Sequence, residues 1–245
     1  MQPAAAHHTS RKPWKSHFAA LHPKAYLALH YLIGFVAAGA IAWLIVAAAN
    51  VVPDKALIAE TDDAVTNWFT QHGSESGDSM FSAISLLGGP LLIVIVASVA
   101  ATFATRRDWR RFAIVAVTCG GGVLLNAVLR ETFRRAHPVD ATVFVNAAQS
   151  WSFPSGHAMN ALVCYGIFAY LAIAALHGSS ARSWTGVAAV ALIGLVGFTR
   201  VYLGVHFLSD VVTGYAAGAV WLAVCIVAYQ FVRARQFTAP ATLAL

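Results

Sequence analysis

The sequence predicts an all-α integral membrane bundle of six transmembrane helices with both termini cytoplasmic and a short amphipathic helix in an outer loop. Three observations point to it. Apolar residues make up 59% of the 245 residues and Asp, Glu, Lys and Arg only 11%, against roughly 25% charged in an ordinary soluble domain. The apolar residues gather into runs near the ~20 residues needed to cross a hydrocarbon core. The basic residues fall mostly between alternate runs, as the positive-inside rule requires. A mean hydropathy of +0.67 excludes a disordered chain, and 8 Pro with 18 Gly give no collagen-like bias.

In chain order, the runs cover residues 28–51, 80–104, 112–129, 158–176, 185–203 and 207–232. A tail, 1–27, precedes them and another, 233–245, follows, so the chain reads as one transmembrane domain, 28–232, between two cytoplasmic tails. Ala47-Ala48-Ala49 resembles a signal-peptidase site. However, the first run is far longer than the ~7–15 residues of a signal h-region, which favours an uncleaved anchor. The loop from Val52 to Ser79, with Asp54, Glu60, Asp62, Asp63 and Trp68, contains the amphipathic stretch. Gly88-Gly89-Pro90 predicts a break near the middle of the second run, and Gly120-Gly121-Gly122 a close helix approach on the third; both read as packing features. Arg200 interrupts the end of the fifth run. Cys119, Cys164 and Cys225 lie inside runs and are odd in number, which indicates no disulfide framework.

With the N-terminus inside, eleven of the sixteen basic residues are cytoplasmic, and nine of the ten carboxylates, all but Asp108, are outside. The net charge of +6 therefore reflects topology and implies no nucleic-acid partner. Four of the five outer basic residues, Arg130, Arg134, Arg135 and Arg200, sit at membrane boundaries where topology disfavours them. Ionisable residues in such places are functional candidates.

They belong to three clusters: Arg130 to Pro138, Pro154-Ser155-Gly156-His157, and Thr199 to Asp210. Counted from a cytoplasmic N-terminus, all three reach the outer face. Ser155 is a plausible N-cap, and Gly156 lets an anion approach the N–H groups at the start of the fourth run. Arg130, Arg135 and Arg200 offer forks that match phosphate. His206 and Asp210 are four apart, which on a helix lets the carboxylate orient one ring nitrogen and free the other to attack. His157 beside the phosphate can act as general acid. A metal bound by His157, His206 and Asp210 is the other reading of that trio, disfavoured because only two imidazoles and one carboxylate are available and the arginines repel a dication.

The spacing of these clusters resembles the three-part signature of the type 2 phosphatidic acid phosphatase superfamily: Lys-x6-Arg-Pro, Pro-Ser-Gly-His and Ser-Arg-x5-His-x3-Asp. The second part is complete here, the third has Thr199 for Ser, and the first departs, with Arg130 for Lys and His137 for Arg before Pro138. The resemblance implies a metal-independent phosphatase without cofactor. His206 is then the nucleophile, Asp210 its orienter and His157 the acid. Arg130, Ser155, Gly156 and Arg200 hold the phosphoryl oxygens, with His137 or Arg135 filling the departed position. A site at the bilayer boundary suits a lipid phosphate or diphosphate: a prenyl diphosphate, phosphatidic acid, phosphatidylglycerol phosphate or a lipid A phosphate. Transfer to another acceptor, and a non-enzymatic anion-binding or transport bundle, remain alternatives. The expected location is the inner membrane, with the site at the outer or periplasmic face.

Overall fold

The computed structural model describes residues 55–138 and 151–237, and the secondary structure within them is helical throughout. In chain order the helices are α1 (Lys55–His72), α2 (Glu75–Ser85), α3 (Pro90–Thr105), α4 (Trp109–Phe133), α5 (Gly156–Ala175), α6 (Ser179–Tyr202) and α7 (Leu208–Phe237). Among the described residues, five stretches are long and apolar enough to cross a membrane: Glu75–Thr105, spanning α2 and α3, then α4, α5, α6 and the Leu208–Arg233 part of α7. The run expected at 28–51 and the tail at 1–27 lie outside the described residues.

The α5 helix is central and packs on α4, α6 and α7. It carries much of the core, with Met159, Ala161, Val163 and Ile167 fully buried. The glycine-rich stretch of α4 brings α7 close, because a Cβ on Gly121 would lie 2.2 Å from the Trp221 ring. The indole N–H of Trp221 donates to the Thr118 carbonyl at 2.8 Å, fixing that crossing.

The break in the second span falls where Gly88-Gly89-Pro90 predicts it. The α2 helix gives way to a 3-10 turn, Leu86–Gly88, and α3 restarts with Pro90 at its first position. Proline lacks the N–H that a helix start leaves unpaired in any case. Tyr165 of α5 donates to the Leu87 carbonyl at 2.7 Å and pins the turn.

The amphipathic stretch between the first two runs is an 18-residue helix, α1. Asp62, Val65, Thr66 and Phe69 form a stripe at i, i+3, i+4 and i+7 that turns inward. Phe69, Phe81, Phe198 and Tyr202 interlock α1 and α2 with α6 through ring contacts of 4.3–6.2 Å.

Candidate active site

The ends of α4, α6 and the 3-10 turn and the starts of α5 and α7 meet at one end of the bundle, bringing the three polar clusters together. Each cluster is positioned by its own local geometry. The α4 helix ends at Arg134 in the left-handed conformation (φ 47, ψ 42), which turns the chain back so that Arg135 and His137 face the start of α7. The Arg135 carbonyl accepts from the Ser152 N–H at 2.7 Å, and the Asp210 carbonyl accepts from the Ser155 N–H at 3.0 Å. These two backbone bonds tie the second cluster to the first and third.

The third cluster depends on a tight loop. Gly204 sits at φ +63, a conformation open to glycine at little cost. The chain therefore doubles back, and the Val205 and His206 N–H groups both donate to the Arg200 carbonyl at 3.2 Å. His206 lies before α7, which begins at Leu208, so the expectation that His206 and Asp210 share a helical face is corrected. The pairing is made across the helix start instead, with His206 Nδ1 3.5 Å from Asp210 Oδ2.

Asp210 is fully buried and surrounded by donors. Its carboxylate accepts from Arg135 at 2.8 Å, from the Phe207 N–H at 3.1 Å and from the Ser152 hydroxyl, which also lies 3.4 Å from His206 Nδ1. Burial costs a carboxylate heavily unless such partners replace water. His206 is itself 3% exposed. That burial, reinforced by Arg200 and opposed by Asp210, pushes its pKa down to about 4, so the imidazole is neutral at ordinary pH.

Arg135 does not stand open to a phosphate. It forks between two carboxylates, giving one hydrogen bond to Asp210 and another, also 2.8 Å, to Asp62 of α1, while its guanidinium lies 4.1 Å over the Phe207 ring. Asp62 is 2% exposed and further accepts from the Ser209 N–H at 2.9 Å and the Ser209 hydroxyl at 2.5 Å. Sequence reasoning missed Asp62 and Ser152 as site residues. A carboxylate on the inward stripe of α1 was the available signal for Asp62; nothing in the spacing marked Ser152.

His137 Nδ1 contacts the Val205 carbonyl at 2.8 Å and its ring lies 5.1 Å from that of His206. Burial first, and the nearby Arg130 and Arg200, hold its pKa below the usual histidine value against that bond and Asp210. The resting imidazole is therefore neutral and donates to Val205, so it does not stand as the fixed cation that an arginine would supply at this position.

Arg130 donates through Nε and a terminal nitrogen to the Trp151 carbonyl. Arg200 is 8% exposed, gives a bond of 2.6 Å to Ser85 at the end of α2, and has its buried Nε unpartnered among the described residues. Ser155 occupies the N-cap position of α5 with extended backbone (φ −64, ψ 115), but its hydroxyl caps nothing and is also unpartnered among the described residues. A buried donor without a partner costs about 1–3 kcal/mol. Two of them beside the free N–H groups of a helix start make a place for an acceptor-rich anion.

His157 stands on the first turn of α5 against the broken second span. A Cβ on Gly89 would lie 2.8 Å from His157 Nε2, so the break is more than a packing feature: it makes room for this imidazole. Replacing Gly89 by Ala is expected to displace the ring; if His157 is the acid the sequence reading assigns, turnover should fall at least tenfold, a fraction of the ~10²–10⁴ that a positioned acid contributes. Turnover and a thermal melt measured together check it, since the fold should survive. Beneath His157 a cavity of about 600 Å³ opens between α3 and α4. Arg130, Gly156 and Asn160 line its mouth, and Leu92, Val96 and Val123 its apolar depth.

Fold and site together define a multi-pass helical membrane protein that gathers histidines, carboxylates and arginines at one end of its bundle. The chain belongs to the PAP2 superfamily, whose family model matches residues 111–234. It is 40% identical over 134 residues to a Bacillus subtilis (strain 168) protein, phosphatidylglycerophosphatase B, a match covering 53% of this chain and 61% of that one. The chain thus spans about three fifths of that relative's length. Its fold also resembles the crystal structure of a transmembrane PAP2-type phosphatidylglycerolphosphate phosphatase from Bacillus subtilis. The TM-score is 0.64 at 25% identity, over 89% of this chain and 98% of the other.

Proposed function

We propose that the protein is a membrane phosphatase that removes phosphate from a lipid phosphate through a phosphohistidine. The observation that carries this reading is the pair His206 and Asp210, buried together at a helix start where Arg200 and Ser155 keep unpartnered donors. Asp210 and Ser152 engage Nδ1 of His206, which leaves Nε2 to attack phosphorus. The leaving oxygen takes its proton from His157. Arg130, Arg200, Ser155 and the N–H groups at Gly156 receive the equatorial oxygens, whose charge is the main thing to be stabilised in phosphoryl transfer. Water then attacks the phosphohistidine, His157 accepts its proton, and inorganic phosphate leaves. Arg135 and Asp62 act through Asp210 as positioning residues, with His137 bracing the His206 loop through Val205.

The cavity under His157 suits a headgroup at the polar end with its tail in the apolar depth. Among the candidate lipids, the names carried by the two similar proteins favour phosphatidylglycerol phosphate. A six-span domain over 28–232 with cytoplasmic tails at 1–27 and 233–245, α1 lying at the interface, and a site on the outer face of the plasma membrane complete the proposal. The excess of basic residues on the other side supports it.

The reading is tested by phosphate release from purified protein against a panel of lipid phosphates and soluble phosphates. Turnover should be highest on the lipids, absent acceptor transfer, and should withstand EDTA, since no three His, Cys, Asp or Glu side chains converge as a metal group among the described residues. Vanadate, which adopts trigonal-bipyramidal geometry, should inhibit. Activity lost to EDTA and restored by one dication would move the trio to metal chemistry.

A further inference from the structure

Another cavity, of about 640 Å³, lies at the opposite end of the bundle among the start of α4 and the ends of α5 and α7. Trp109 at its rim and Arg130 at the active end are separated along α4 by about 31 Å at roughly 1.5 Å per residue, which is a bilayer core's thickness. Its rim holds Arg110, Arg111 and Arg233. Trp109, Tyr170 and Tyr229 form an aromatic collar of the kind that sits at a membrane–water boundary. Its inner wall is apolar, from Ile114 to Val117 and Val232, and the last two are 58% and 53% exposed, so the wall opens sideways.

The charge at this end is unbalanced. Among the described residues, Arg106, Arg107, Arg110, Arg111, Arg182 and Arg233 lie here, against a single carboxylate, Asp108. Asp108 is already used: it caps α4 by accepting from the Arg111 N–H at 3.1 Å and pairs with the Arg111 guanidinium at 3.2 Å. Residues 1–53 and 234–245 contain no Asp or Glu, so they offer the rim no side-chain carboxylate. A separate anion would balance the rim, and an apolar wall opening toward lipid suits one that carries a tail.

We propose that this groove seats one anionic phospholipid of the leaflet opposite the active end, its phosphate between Arg110 and Arg233 and one acyl chain along Val117 and Val232. The proposal stands whether or not the active end is a phosphatase. The phosphate supplies the countercharge that the chain lacks, and the collar holds the glycerol level.

The test is native mass spectrometry of the full chain in detergent, titrated with phosphatidylserine and with phosphatidylcholine of the same acyl chains. At about fivefold per basic residue near a headgroup, two arginines predict a preference of about 25-fold for phosphatidylserine. The double variant Arg110→Gln/Arg233→Gln should bring the two lipids to near parity, whereas Arg134→Gln at the active end should leave the preference unchanged. If the double variant does not fold, either single variant should still lose about fivefold. Phosphatidylserine with brominated chains should quench tryptophan fluorescence, and the quenched part should vanish in Trp109→Phe. Parity of the two lipids in the wild type, a preference that survives the double variant, quenching that survives Trp109→Phe, or displacement by glycerol 3-phosphate at lipid concentrations would each overturn the proposal.

Discussion

Replacing His206 by alanine is expected to abolish turnover, lowering kcat by at least about 10⁴-fold, as loss of the nucleophile does in triad hydrolases. Brief incubation of the wild type with labelled substrate, quenched without acid, should trap an acid-labile, alkali-stable phosphoprotein that His206→Ala does not form. A variant that still turned over at the wild-type rate would end the phosphohistidine reading. The pH dependence carries the same assignment. Burial holds the His206 pKa down to about 4, so its nucleophilic neutral form fills as pH rises through about 4, well below the usual 6.5. The acid limb of kcat/KM should therefore lie near 4, because this parameter reports the free enzyme. A limb near 6.5 would mean that His206 is more hydrated than its 3% exposure implies.

Arg135→Ala should produce the second largest loss, in stability as well as rate. The substitution leaves Asp62 and Asp210, 2% and 0% exposed, facing each other without the cation they share. Breaking a buried pair in this way costs about 3–5 kcal/mol, and kcat/KM should fall by at least about a hundredfold because Asp210 no longer holds His206 in place. His137→Ala, which removes the bond to the Val205 carbonyl and the ring contact with His206 but strands no buried charge, should cost less, about 1–2 kcal/mol. Arg135→Lys keeps the charge but cannot fork between two carboxylates, so it should fall between them. Thermal melts and kcat/KM for the three variants check the order. A His137 variant weaker than the Arg135 variant would return the phosphate-binding role to His137.

The features legible in the sequence are those written as spacing. A helix start needs Ser155-Gly156-His157 in consecutive positions. A break needs Gly88-Gly89-Pro90, and a span needs an unbroken apolar run. Each of these is a local demand on neighbouring residues, so each leaves a local trace. What was illegible depends on the chain folding back. The return of the His206 N–H to the Arg200 carbonyl is a property of the loop around Gly204, and it replaced the helical pairing that a four-residue spacing suggests. Whether Arg135 meets a phosphate or a carboxylate is decided by α1, more than sixty residues earlier, and no spacing within the cluster contains that information. Ser152 is one more case, a hydroxyl recruited only because its backbone is pinned to the Arg135 carbonyl.

The reach of Asp62 and Gly89 into the site sets a limit on how the protein can be cut and recombined. The family match begins at residue 111, yet the carboxylate that anchors Arg135 and the gap that admits His157 both lie upstream of it. The matched half is therefore recognisable by itself without holding every support of the site. A chimera that swaps this half between relatives would inherit the proposed reacting groups and lose their supports unless the α1 stripe and the glycine break travel with it. The unit of inheritance for catalysis is larger than the unit of recognition.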